Sequence, residues 1–83
     1  MTESDDTKKS GPQDHPLAGL VHAEAWRVKN SLAPGAVEID DLVGLGFIGL
    51  LEAEERFDPS KGYELSTFAR YRIRGAILDG IRT

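Results

Sequence analysis

With 83 residues, the chain has room for one small domain: roughly 60% of an unfolded chain's surface is buried at that size, and a complete dinucleotide-binding fold does not fit. It has no cysteine, which excludes a disulfide framework and thiolate metal sites, and no apolar run long enough for a signal peptide or membrane span, so a soluble, cytoplasmic protein is expected. The net charge of −4 hides a division, since residues 36–55 hold six acids and no base while residues 56–83 hold six bases against three acids, and this points to two surfaces for two partners.

Residues Met1 to Asp14, "MTESDDTKKSGPQD", contain no large apolar residue after the initiator methionine. Such a composition cannot offset the entropy of ordering. Residues 1–15 are therefore expected as a disordered tail before a domain over residues 16–83. From Pro16 the pattern changes, and Leu17, Leu20, Val21, Ala25, Val28 and Leu32 recur mostly every three or four residues. Proline suits a first helical turn, so a helix is predicted over Pro16–Leu32, stopped by Pro34-Gly35. Trp26 reads as core or half-buried packing on this helix. His15 and His22 stand alone, without the neighbouring ligands a metal site needs, so no metal and no cofactor are expected.

A second helix is predicted over Asp40–Arg56, because Asp40 or Asp41 can accept the orphan amides of a first turn and both carboxylates favour the positive end of the helix dipole. Inside it, Gly44, Gly46 and Gly49 stand at the spacing G-x-G-x-x-G, which in a βαβ unit wraps a dinucleotide pyrophosphate. The strand required ahead of the first glycine is missing: nothing before Gly44 alternates with period two, and "IDDL" reads as a cap. Leu42, Gly46, Gly49, Leu50, Ala53 and Phe57 fall instead on one helical stripe, so Gly46 and Gly49 are predicted to face another helix. Asp41, Gly44, Leu45, Ile48, Glu52 and Glu55 lie on the opposite stripe, an acidic and partly apolar face that a partner could cover.

The stretch "FDPSKGYELSTF" reads as a connection, with Pro59 fixing φ and Gly62 free to go left-handed. Ser66 or Thr67 is then predicted to cap a third helix through about Ile81. On it Thr67, Arg70, Tyr71 and Arg74 recur at i, i+3, i+4 and i+7, which stands an aromatic ring among guanidinium groups along one face. Unstacked bases can lie on Tyr71 or Tyr63 while Arg70, Arg74 and Lys61 neutralise phosphates, a combination that suits a single strand. Phe57 and Phe68 fall on inward stripes and read as core. Glu52, Glu54 and Glu55 have neither a pocket nor a companion for acid–base work, and no nucleophile has a base at a recognisable spacing, so a binding module rather than an enzyme is expected. With no strand and no internal repeat apparent, the expected fold is all-α: a small three-helix domain behind the tail.

Four stretches, "DDLVGLGFIGLLEA", "RFDPSKG", "STFARY" and "RIRGAILDGIR", follow one another between Asp40 and Thr83. Together they resemble region 2 of the bacterial RNA polymerase sigma factors of the sigma-70 family, with the flagellar, sporulation and stress branch the closest. The upstream "LAGLVHAEAWRVKNSLAPGAVEI" is similar to the helix that precedes this block in the family. The resemblance implies a transcription-initiation module with two contacts. The helix opened by the paired acids is implied to dock on a coiled coil of the polymerase's large clamp subunit through Asp41, Gly44, Leu45, Ile48, Leu51, Glu52 and Glu55. The following loop and helix are implied to hold open the single-stranded non-template DNA of the upstream promoter element through Tyr63, Thr67, Phe68, Tyr71 and Arg72, beside the cations Lys61, Arg70 and Arg74 that the spacing already sets against phosphates.

Gly44 and Leu45 depart from the family pattern: the family usually carries glutamine where Gly44 stands, and its housekeeping members carry glutamate where Leu45 stands. Where those housekeeping members carry paired tryptophans, this chain has Tyr71-Arg72, as its branch commonly does. Thr83 falls where the family's third helix continues toward the segment that reads duplex DNA. Three readings follow: a fragment of a full factor, a split factor completed by a second sigma polypeptide, or a truncated mimic. The mimic would act only through protein contacts, competing for the clamp or occupying an anti-sigma protein.

Overall fold

The computed structural model describes residues 15–82; the tail expected over residues 1–15 lies outside them except for His15. Three helices, α1 (Ala18–Asn30), α2 (Ile39–Arg56) and α3 (Leu65–Arg82), are joined by a loop and by a 3-10 turn at Pro59–Lys61. No strand occurs among the described residues, so the architecture is the all-α, three-helix one that the apolar periods predict.

The helix ends differ from the periodic pattern because local hydrogen bonds set them. α1 starts at Ala18 instead of Pro16: the Leu17 amide donates to His15 Nδ1 at 2.9 Å, and the Ala18 amide to the His15 carbonyl at 2.9 Å, which makes the entry a turn. His15 Nε2 also pairs with the Glu54 carboxylate at the far end of α2. α1 stops at Asn30 instead of Leu32, since the Ser31 hydroxyl and amide both donate to the Val28 carbonyl, at 2.7 and 3.0 Å, and satisfy an acceptor that a further turn would have used. α2 starts at Ile39 with Glu38 ahead of it and no side-chain cap; Asp40 and Asp41 stand inside its first turn, where they act on the dipole. Ser66 and Thr67 likewise lie within the first turn of α3 instead of ahead of it.

Between α2 and α3 the Asp58 carboxylate accepts from the Ser60 hydroxyl at 2.7 Å and the Ser60 amide at 3.0 Å. Those two bonds, the hydroxyl's first, hold the Asp58 carboxyl below its ordinary range. Gly62 leaves the turn at φ 88°, the left-handed conformation the sequence predicts for it.

The core is built by Val21, Ala25 and Val28 of α1, Leu42, Leu50 and Ala53 of α2, and Ala69, Ile73 and Ile77 of α3. Gly46 and Gly49 are buried with them. A Cβ at Gly49 would stand 2.7 Å from the Arg72 carbonyl oxygen and 2.9 Å from Ile73 Cα, so α2 and α3 cross there backbone to backbone; one at Gly46 would stand 2.8 Å from Val21 Cγ1 and 3.3 Å from Ile73 Cγ2. Both glycines are helix-packing positions, as their stripe predicts. Trp26, expected in or half in the core, sits on the outer side of α1 with about half of its surface open.

Candidate functional site

The core residues occupy one side of α2 and leave the other to solvent. Asp41, Gly44, Ile48, Leu51 and Glu55 are exposed, and they follow one another at alternating steps of three and four residues. That is the seam spacing by which one helix lies along another. Ile48 and Leu51, 53% and 55% exposed, supply its apolar middle, with acids at both ends. A Cβ at Gly44 would meet nothing within 4 Å, so the seam is shallow there. Two members of the predicted set turn toward α3 instead. Leu45 is half-buried and fills the space over Gly80, where an added Cβ would come within 2.5 Å of it. Glu52 Oε1 accepts from an Arg72 NH2 group at 3.2 Å.

On α3, Thr67, Arg70, Tyr71 and Arg74 are all exposed, and Tyr71 is the most open of the large apolar and aromatic side chains at 76%. Lys61 is exposed at the end of the 3-10 turn. Tyr63 stacks on Phe68 with centroids 5.7 Å apart, and Phe57 lies 6.0 Å from each of them. These three rings form one cluster instead of separate platforms, with Phe57 and Phe68 half-buried and Tyr63 at the open edge. Arg72 points away from the exposed face, between α2 and α3; its Nε is buried and has no hydrogen-bond partner among the described residues. Beside it opens a cleft of about 620 Å³ bordered by Glu52, Tyr71, Arg74 and Leu78.

Sequence reasoning missed one group. Glu24, on α1, is only 2% exposed, and its Oε2 lies 3.8 Å from Nε of both Arg27 and Arg70. The available signal was its register: Glu24 stands three residues after Val21 and four before Val28, on the inward stripe of its helix, where a charge is seldom found without a partner. Among the described residues no group of three or more histidine or acidic side chains could hold a metal ion, and no helix is long and apolar enough to cross a membrane.

The Sigma-70 region 2 family model matches residues 15–83. The chain is 53% identical over 63 residues to the RNA polymerase sigma-D factor of Bacillus subtilis (strain 168), an alignment covering 76% of this chain and 24% of that protein. It is 50% identical over 64 residues to the RNA polymerase sigma factor FliA of Escherichia coli (strain K12), covering 77% and 26%, and 45% identical over 65 residues to FliA of Pseudomonas aeruginosa, covering 78% and 26%. The chain thus spans about a quarter of the length of the curated relatives it matches. No solved structure matches it. The family match takes in all three helices and both exposed faces, and the chain belongs to the sigma-70 region 2 family.

Proposed function

We propose that this chain serves bacterial transcription initiation as a module with two contacts. The outer seam of α2 docks on the clamp coiled coil of the RNA polymerase large subunit. The exposed face of α3, with Lys61 and Tyr63, holds the non-template strand of the upstream promoter element as single-stranded DNA. The single observation that carries the reading is Tyr71: the residue is 76% exposed between Arg70 and Arg74, where an unstacked base finds a platform flanked by charges that neutralise phosphates. The three-and-four spacing of Asp41, Gly44, Ile48, Leu51 and Glu55 supports the docking half, since a coiled coil offers the matching groove. The acidic α2 repels free DNA at long range. Affinity is therefore weak for the chain alone and useful beside polymerase.

The test is binding of a fluorescent non-template single strand by the chain held on core RNA polymerase, over a salt series, with the duplex as control. The single strand is preferred, and Lys61, Arg70 and Arg74 together contribute about −2 to the log–log salt slope, at about 0.7 per phosphate contact. Tyr71→Ala costs roughly 1–3 kcal/mol with little change in slope. Preference for duplex, or indifference to Tyr71→Ala and Arg74→Ala together, removes the DNA half and leaves a module acting through the clamp or an anti-sigma protein. Asp41→Lys and Ile48→Asp each weaken binding to core polymerase; parent-like binding by both moves the docking surface elsewhere.

A further inference from the structure

A carboxylate taken out of water is costly unless charges and hydrogen bonds replace the lost hydration. Glu24 has the charges but not the hydrogen bonds. Its side chain lies on the inward stripe of α1 with Val21, Ala25 and Val28, and its two ion-pair partners come from different helices, Arg27 from α1 itself and Arg70 from α3. Both approach the same oxygen, Oε2, at 3.8 Å, so their Nε atoms lie within twice that distance of each other. The other oxygen, Oε1, is buried without a hydrogen-bond partner among the described residues. Neither contact is short enough to be a hydrogen bond. A carboxylate whose role was only to lock α1 onto α3 would close on one guanidinium as a two-bond fork; this one stands between two.

The two arginines keep 65% and 59% of their side chains in water. Each turns its Nε edge toward Glu24, while a guanidinium carries further N–H donors beyond that edge. Two guanidinium groups this close repel unless an anion lies between them. Two positive charges against one negative leave the cluster with an excess of one, on the side of the molecule where Arg70 is followed directly by Tyr71.

We propose that Glu24 is a positioning residue: it holds Arg27 and Arg70 side by side, so that α1 joins α3 in offering one phosphodiester group of a single DNA strand two cationic edges. The proposal rests on the DNA-contact reading of α3 and adds Arg27, a residue of another helix, to it. A base stacked on Tyr71 then has a phosphate of its own strand at the Arg27–Arg70 pair, which converts the buried charge of Glu24 into orientation for two exposed ones.

The sign of one substitution separates positioning from bulk charge. Glu24→Gln keeps the shape of the side chain and removes a negative charge. If only net charge matters, the variant binds a single strand more tightly. If Glu24 positions the arginines, it binds about five- to tenfold more weakly, the loss of roughly one charge-assisted contact. The measurement is fluorescence anisotropy of a short single-stranded oligodeoxynucleotide with the full 83-residue chain at low ionic strength, with its duplex as control. In the parent, Arg27→Ala flattens the salt slope by about 0.7, and the effects of Arg27→Ala and Arg70→Ala are non-additive; in the Glu24→Gln background they become additive. The Arg27 and Arg70 Nε–Hε resonances shift on adding the oligonucleotide to the parent and fail to shift in the variant. Should Glu24→Gln not fold, the Arg27–Arg70 cycle in the parent decides alone, because both side chains are mostly in solvent and neither belongs to the core. Equal or tighter binding by a folded Glu24→Gln variant overturns the proposal, as does additivity in the parent cycle. If Tyr71→Ala and Arg74→Ala weaken binding while Arg27→Ala does nothing, the DNA reading stands and the positioning role falls. If all three are silent, both fall together.

Discussion

Gly44 and Gly49 lie in one helix, yet a methyl group added to each has opposite consequences. At Gly49 it would meet the Arg72 carbonyl oxygen at 2.7 Å and Ile73 Cα at 2.9 Å, backbone atoms that cannot rotate away, so Gly49→Ala is expected to cost roughly 1–3 kcal/mol of stability. At Gly44 it meets nothing within 4 Å, and Gly44→Ala is expected to stabilise by about 1 kcal/mol through helix propensity. Urea denaturation of the two variants reads both signs. The stripe pattern made the contrast legible, because Gly49 shares a face with Leu42 and Leu50 and Gly44 does not. Asp58 offers a prediction in pH. Bonds from the Ser60 hydroxyl and then the Ser60 amide favour its charged form and lower its carboxyl pKa in the folded chain. The sign follows: the stabilisation is present above the unfolded aspartate pKa and is lost as pH falls through the lower folded value. In Ser60→Ala the carboxyl is expected to titrate closer to the ordinary aspartate value, followed by its NMR resonance against pH. An unmoved titration would show that the hydroxyl bond is not the cause.

At the scale of elements, α2 and α3 meet through more than apolar packing. The Glu52–Arg72 pair joins a residue read as polymerase-facing to one read as DNA-facing, at 3.2 Å with both side chains about a third or more exposed. A double-mutant cycle on stability with Glu52→Ala and Arg72→Ala is expected to give a coupling of only about 0.2–1 kcal/mol, shrinking as salt is added. A coupling that salt leaves unchanged would mean a drier pair than this geometry allows. That the three helices exist was legible in their apolar periods; where they end was less so. Ser31 closing on Val28 and His15 receiving the Leu17 amide are competitions between single hydrogen bonds, and periodicity carries no information about those.

For the whole molecule, three helices share one thin core. Leu50 is fully buried at its centre, so Leu50→Ala is expected to cost roughly 2–5 kcal/mol, a large share of the 5–15 kcal/mol typical of a folded domain. Because α1, α2 and α3 all contribute to that core, unfolding is expected as one transition. Far-ultraviolet circular dichroism, which sees every helix, and the fluorescence of Trp26, which sees α1, should then give coincident curves; a Trp26 transition at lower denaturant would mean that α1 detaches first. The sequence by itself determined the all-α class, the inward glycines of α2, the acidic and basic faces and the exposed Thr67–Arg70–Tyr71–Arg74 row, because each of these depends on spacing along a single helix. Only the tertiary structure decided that Arg70 meets Glu24, that Arg72 turns to Glu52, that Leu45 lies over Gly80, and that Phe57, Tyr63 and Phe68 gather into one ring cluster. These are pairings between elements, set by how far each helix is rotated and where it crosses its neighbour. The close backbone approach at Gly49 fixes that crossing for α2 and α3, and no spacing within either helix contains it.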